Sequence, residues 1–276
     1  MVSFGRLFSL VCPLSSKTSN VRTFHPQIYW QGAAYRKGII WMNTCRPSWT
    51  WLDVVCVYLG IMVLSFLWGI YGEPVMDYLT GLGLPDTRLA QFSISYLLQF
   101  LVTVGLVLLL SGIGRGTSWR DVGLAPLSLR NLVKYGIFGG VFLVTLVFLL
   151  SLPLQFINPD LPPQPYEQML RTTQGAGQFL LLVVMAAVLA PLSEELFYRG
   201  MIYPLTRHSL GPLWGAISAG LLFGLAHWDL WRAVPLAVGG AILCYFYEKS
   251  GSIWATVTAH GVWNGIMSLL VYFSLS

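Results

Sequence analysis

The chain has 276 residues, 55% of them hydrophobic and only 10% charged, whereas a soluble globular domain carries about 25% charged residues. So few charges cannot solvate the surface of a soluble protein of this length, and the apolar residues come in blocks near the roughly 20 needed to span a bilayer. The formal charge of +5 does not indicate a nucleic-acid partner, because the basic residues sit at the ends of apolar blocks, as loop charges that orient membrane helices do. The fold class expected is all-α, a polytopic transmembrane helix bundle of about 7–8 spans in contact with membrane lipid.

Residues 1–50 contain Arg6, Lys17, Arg22, Arg36, Lys37 and Arg46 and no acid. This basic leader is compatible with a transit peptide, with a cytoplasmic tail, or with a true start at Met42, just ahead of the first apolar block. Seven apolar segments follow, at about 52–72, 89–113, 131–152, 177–203, 212–227, 233–248 and 252–274. An eighth short or re-entrant helix is compatible with the amphipathic stretch around 118–130. The chain thus divides into the leader 1–50, N-terminal transmembrane helices over 51–114, and a membrane domain over 115–276 that carries the site.

Loop charges alternate in sign. After the leader come Glu73, Asp77, Asp86 and a lone Arg88. Arg115, Arg120, Arg130 and Lys134 then oppose Asp121, and Asp160 and Glu167 accompany Arg171. The positive-inside rule places the N-terminus in the cytoplasm and, with seven spans, the C-terminus outside. The location expected is a multi-pass integral membrane protein of a prokaryotic plasma membrane, or of an organellar membrane if the leader is a transit peptide. Cys12, Cys45, Cys56 and Cys244 show no metal-binding or redox spacing, and Cys56 and Cys244 read as small apolar filler. Gly136/Gly140, Gly211/Gly215, Gly220/Gly224 and Gly261/Gly265 are each four apart, which puts each pair on one helix face and allows close helix approach. The Pro-rich stretch from Pro153 to Gly175 is the longest non-helical one.

An ionisable side chain inside a membrane helix costs about 2.5–3.5 kcal/mol on insertion scales, so it needs a partner or a task. The fourth segment ends Ser193-Glu194-Glu195-Leu196-Phe197-Tyr198-Arg199. Glu195 and Arg199 are four apart and can form a structural ion pair. Glu194 points about 100° away and is left free, unless both acids merely end the helix at the membrane surface. The fifth segment ends with Phe223 and His227 on one face; a histidine there is either interfacial or catalytic. His260 and Asn264 share a face of the seventh segment, as a helix-to-helix hydrogen bond or as part of a site. Together, Glu194 as general base with His227 could activate water, and His260 with Asn264 could donate to a developing oxyanion. Glu194, His227 and His260 could equally bind a zinc ion with a position open for water. Neither H-E-x-x-H nor G-x-S-x-G is present.

Glu194-Glu195-x-x-x-Arg199, Phe223-x-x-x-His227 and His260-x-x-x-Asn264 resemble the three main motifs of the CAAX-protease and bacteriocin-processing (Abi) family, which includes the type II CAAX prenyl endopeptidases. The resemblance covers roughly 115–275, with Arg120-Asp121-Val122-Gly123-Leu124 resembling a segment often found upstream. It implies an all-helical bundle with its site in a membrane cavity and a glutamate- or metal-dependent intramembrane endopeptidase. Its substrate would be a membrane-associated, lipidated or CAAX-type protein or peptide. By this resemblance Glu194 and His227 activate water, His260 and Asn264 stabilise the oxyanion, and Glu195, Arg199 and Phe223 support them. Two other readings of the same residues are a proton-coupled membrane transporter and a non-catalytic immunity-type membrane protein.

Overall fold

The computed structural model describes residues 46–85, 87–113, 116–158 and 161–274. Residues of the leader from Arg6 to Lys37, Cys12, Cys45, Met42, Asp86, Arg115 and Asp160 lie outside the described residues. The described residues are mostly helical, and every apolar segment falls on a helix. These are α1 (Trp51–Gly81), α2 (Arg88–Val107), the short α3 (Leu129–Asn131), α4 (Phe138–Ile157), α5 (Pro165–Arg171), α6 (Ala176–Val184), α7 (Ala190–Phe197), α8 (Tyr203–Leu225), α9 (Leu230–Ser250) and α10 (Ile253–Phe273).

Among the described residues, five continuous helical stretches are long and apolar enough to cross a membrane, as expected of a multi-pass integral membrane protein. One of them, Ala176–Leu225, is 50 residues long and reverses at Gly211, whose backbone is non-helical at φ 77°. It therefore accounts for two of the seven apolar segments. The helix α10 falls outside the five because His260, Asn264 and its tryptophans lower its mean hydropathy. Their apolar outer faces stay exposed: Leu59, Phe66 and Ile70 of α1, Phe142 of α4 and Leu221 of α8. Such surface is costly in water and at home against lipid tails.

Several expectations about boundaries change. The first helix does not stop near 72; it runs through Glu73, Pro74 and Asp77, so those acids ride on its last turns. It ends where Gly83 takes a left-handed backbone, φ 99°, a conformation glycine adopts without steric cost. In the same way α4 runs through Pro153 to Ile157. The stretch around 118–130 is turns rather than an amphipathic helix, apart from α3. Gly123 turns it at φ 82° and its carbonyl accepts from Ile253 N at 2.9 Å, which ties the start of α10 to this loop. The extra short helix lies instead in the Pro-rich stretch, as α5. There Pro165 occupies the first turn, where its missing N–H is not needed, and Arg171 pairs with Glu167 at 2.7 Å.

Glycines set the helix spacing where the sequence placed them in pairs, with one exception. A Cβ at Gly220 would lie 2.4 Å from Ala237 O, and one at Gly224 2.3 Å from Ala233 O, so α8 and α9 touch backbone to backbone. Gly140 meets Ala259 O of α10 at 2.6 Å in the same sense. Gly211 and Gly215 do not share a helix face, because Gly211 is the kink itself. Cys244 is buried and Cys56 exposed, both free.

Overpacking typically costs about 1–3 kcal/mol, and at Gly224 the obstacle is backbone rather than a movable side chain. Gly224→Leu is expected to lower the melting temperature in detergent by several degrees or to prevent folding. Gly177→Ala, with nothing within 4 Å of the new methyl, is expected to leave it unchanged or raised.

Candidate functional site

The site is built on a helix that is twice expanded. Pro191 has no N–H to bond the carbonyls of Ala187 or Ala186, and its ring crowds the preceding turn. The chain answers with a π-helical turn over Met185–Leu189, then α7, then a second π turn over Tyr198–Ile202. Such expansions are uncommon and cluster at functional sites. Ser193, Glu194, Glu195 and Arg199 lie on and just after the α-helical turns between them.

Glu195 is fully buried. Its Oε1 accepts from Arg199 Nη1 at 2.7 Å and from His260 Nδ1 at 2.8 Å. Arg199 is 1% exposed, donates from Nη2 to Gly240 O of α9 at 2.8 Å and lies over the Phe223 ring, 5.0 Å from its centroid. One carboxylate therefore ties α7 to α10, and through Arg199 to α9. Phe223, buried on α8, packs edge-on against both His227 and His260, with centroids 4.9 and 5.7 Å away.

Glu194 faces elsewhere. It lines a cavity of about 570 Å³ together with His227, a volume within the range of small-ligand sites. Its Oε2 is buried with no hydrogen-bond partner among the described residues, and His260 Nε2 lies 3.9 Å from it, a gap one small shift or one water closes. His227 Nδ1 is 2.8 Å from Phe223 O. A carbonyl only accepts, so Nδ1 carries the proton, and Nε2 of the neutral ring is an acceptor. By the same logic the Glu195 carboxylate makes His260 Nδ1 a donor and leaves Nε2 facing Glu194.

The sequence-predicted residues thus do not form one ring. Glu194 and His227 share the cavity wall, and His260 stands beside Glu194. Asn264 is not among the lining residues, and its Nδ2 donates to Ala186 O at 2.8 Å, one of the carbonyls Pro191 leaves without a helical partner. Among the described residues no three His, Cys, Asp or Glu side chains are grouped to hold a metal ion. Glu194, His227 and His260, the zinc set suggested by residue type, do not fit one as they stand.

The rest of the cavity wall was not singled out by sequence. Tyr58, Ile61, Met62 and Ser65 of α1 and Tyr96, Gln99, Phe100 and Thr103 of α2 line it. Each set follows the i, i+3, i+4, i+7 rule of a single helix face, and polar members inside apolar spans were the available signal. The cavity is therefore not confined to 115–276. Tyr58 and Tyr198 join hydroxyls across α1 and the second π turn at 2.8 Å.

Next to His227 on the cavity lining, Trp228 is 83% exposed and has a left-handed backbone, φ 54°, uncommon for a bulky residue. Asp229 follows as the α9 cap, its Oδ1 accepting from Trp231 N and Arg232 N at 3.1 Å each, and it pairs with Arg232. Arg232 Nη2 in turn donates to Pro162 O at 2.9 Å. Partial burial pushes the Asp229 carboxyl up, but the hydrogen bonds and charge of Arg232 outweigh it and hold the group below its ordinary value.

The comparisons agree with this segment. Residues 176–266 match the family model described as "Type II CAAX prenyl endopeptidase Rce1-like", so the family resemblance read from the motifs holds over that stretch. The chain is also similar to "Uncharacterized protein YyaK" of Bacillus subtilis (strain 168), 27% identical over 136 residues, which is 45% of this chain and 44% of that protein. The match thus spans less than half the length of the curated relative. No solved structure gives a significant match.

Two outcomes follow from the charges. Arg199→Met strands the Glu195 carboxylate in the bundle and should cost about 3–5 kcal/mol, as removal of one partner of a buried pair does. Glu195→Gln added to it should recover part of that loss, read as melting temperature in detergent. For Asp229, a depressed folded pKa gives stability that is present above the unfolded value near 3.9 and lost as pH falls through the folded one. The melting-temperature gap between wild type and Asp229→Ala is therefore expected to be largest above pH ~5 and to shrink in stronger acid.

Proposed function

We propose that this chain is an intramembrane endopeptidase that hydrolyses a peptide bond in a membrane-associated, prenylated CAAX-type substrate, with Glu194 as the general base. The observation that carries this is Glu194 itself: a carboxylate with one buried, unpartnered oxygen, in a cavity shared with His227, on a helix similar to the Rce1-like family.

Glu194 takes a proton from a water as the water oxygen bonds to the scissile carbonyl carbon. His227, its Nδ1–H committed to Phe223 O, accepts the other hydrogen of that water at Nε2 and holds it in line. The carbonyl oxygen becomes an oxyanion. As an imidazolium, His260 donates at both nitrogens, to Glu195 and toward the oxyanion. Two anions, the Glu195 carboxylate and the oxyanion, then stand against two cations, Arg199 and His260, while Glu194 is neutral as the acid, which limits the net charge held away from water. The C–N bond breaks as the proton on Glu194 passes to the leaving nitrogen. Asn264 keeps one amide hydrogen after its bond to Ala186 O, and its larger part is to hold α10, and so His260, against the expanded turn.

Positioned acid–base catalysis contributes about 10²–10⁴-fold. Glu194→Gln and His227→Ala should each reduce cleavage of a membrane-tethered, S-prenylated cysteine peptide by at least that factor without lowering the melting temperature. Asn264→Ala should cost less, mainly by loosening α10. Wild-type rates in Glu194→Gln would refute the assignment. Metal analysis of the purified protein, with cleavage measured before and after chelation, tests the acid–base role directly. Activity should survive chelation.

A further inference from the structure

The helices α1 and α2 lie outside the family-matched segment, yet their stripes make up half of the cavity lining. Most of the polar groups there are spent within the protein. Ser65 donates to Ile61 O at 2.9 Å, the Tyr58 hydroxyl is shared with Tyr198, and Tyr96 donates to Met185 O at 3.3 Å. Gln99, the one side-chain amide on this wall, is different. It sits midway along α2, is exposed on the cavity lining, and has no hydrogen-bond partner among the described residues. An unpaired amide at membrane depth is costly unless something else bonds it.

We propose that Gln99 is a specificity-determining residue whose side-chain amide hydrogen-bonds the main chain of an extended peptide substrate in the cavity where Glu194 and His227 act. The inference rests on the peptidase reading given above. A primary amide offers both a donor and an acceptor, the complement of a peptide group's C=O and N–H. A lipid tail offers neither. Gln99 and Glu194 Oε2 are then two unpartnered polar groups on one cavity, one to register the chain and one to act on it. Selection by this wall is a property of α1 and α2, separable from the chemistry carried by α7, α8 and α10.

The experiment is an ester scan in nanodiscs with the full chain. The probe is an S-prenylated cysteine peptide with three apolar residues after the cysteine, each backbone amide replaced in turn by an ester. Binding is measured in the Glu194→Gln background, with Gln99 or with Gln99→Leu. At one position the ester should weaken binding about two- to tenfold when Gln99 is present, the size of one neutral hydrogen bond, and have no effect with Gln99→Leu. The inference is overturned if Gln99→Leu leaves all affinities unchanged, lowers them equally at every position, or if no peptide binds in either background. Gln99-dependent binding with no cleavage by wild type would sink the peptidase reading and leave the contact standing. Cleavage with Gln99-independent binding would do the reverse.

Discussion

A carboxylate in the middle of a helix bundle has to be answered with charge and hydrogen bonds, and Glu195 is answered from two helices at once. Arg199, four residues on, supplies the counter-charge, and His260 reaches in from α10. Everything at the site is hung on that oxygen. It holds Nδ1 of His260 as a donor and fixes the plane of the ring, which turns Nε2 toward Glu194. It holds Arg199 beneath Phe223, whose carbonyl fixes the tautomer of His227. Glu194 is left with an oxygen that no side chain claims, because its neighbour in sequence has taken the cations.

The backbone makes the same point by subtraction. Pro191 removes one donor, and the carbonyls it frees are met by α10. Asn264 Nδ2 bonds Ala186 O, and Gly261 leaves room for Ala187 O, where a Cβ would stand only 2.3 Å away. A helix that is broken by composition is mended by its neighbour, and the mend sets the register of His260 against Glu194.

The sequence made the bundle legible because a bilayer leaves few options for twenty apolar residues, and it made the Glu195–Arg199 pair legible because helical spacing fixes which side chains meet. It misjudged helix ends at Glu73, Asp77 and Pro153, where the acids read as loop charges and the proline as a break, although the helices carry them on their last turns. It also missed α5 among the prolines. Asn264 read as a donor for chemistry because a polar residue in a span invites that reading; its bond to a carbonyl orphaned by Pro191 depends on how two helices cross, which spacing along one helix does not reveal. The same holds for Tyr58 and Gln99, whose value depends on which face of α1 and α2 turns inward.

The π turn over Met185–Leu189 has one residue more than an α turn spanning the same rise. It is therefore a slack register. Loss of a single residue there could be absorbed by contraction to regular α-helix, with the helices on either side keeping their phase. The same loss inside α7 has no slack to draw on and would swing Glu194 by about 100°, off the cavity and into the packed interface. Length variation among related chains should therefore be tolerated in the expanded turn and refused five residues later.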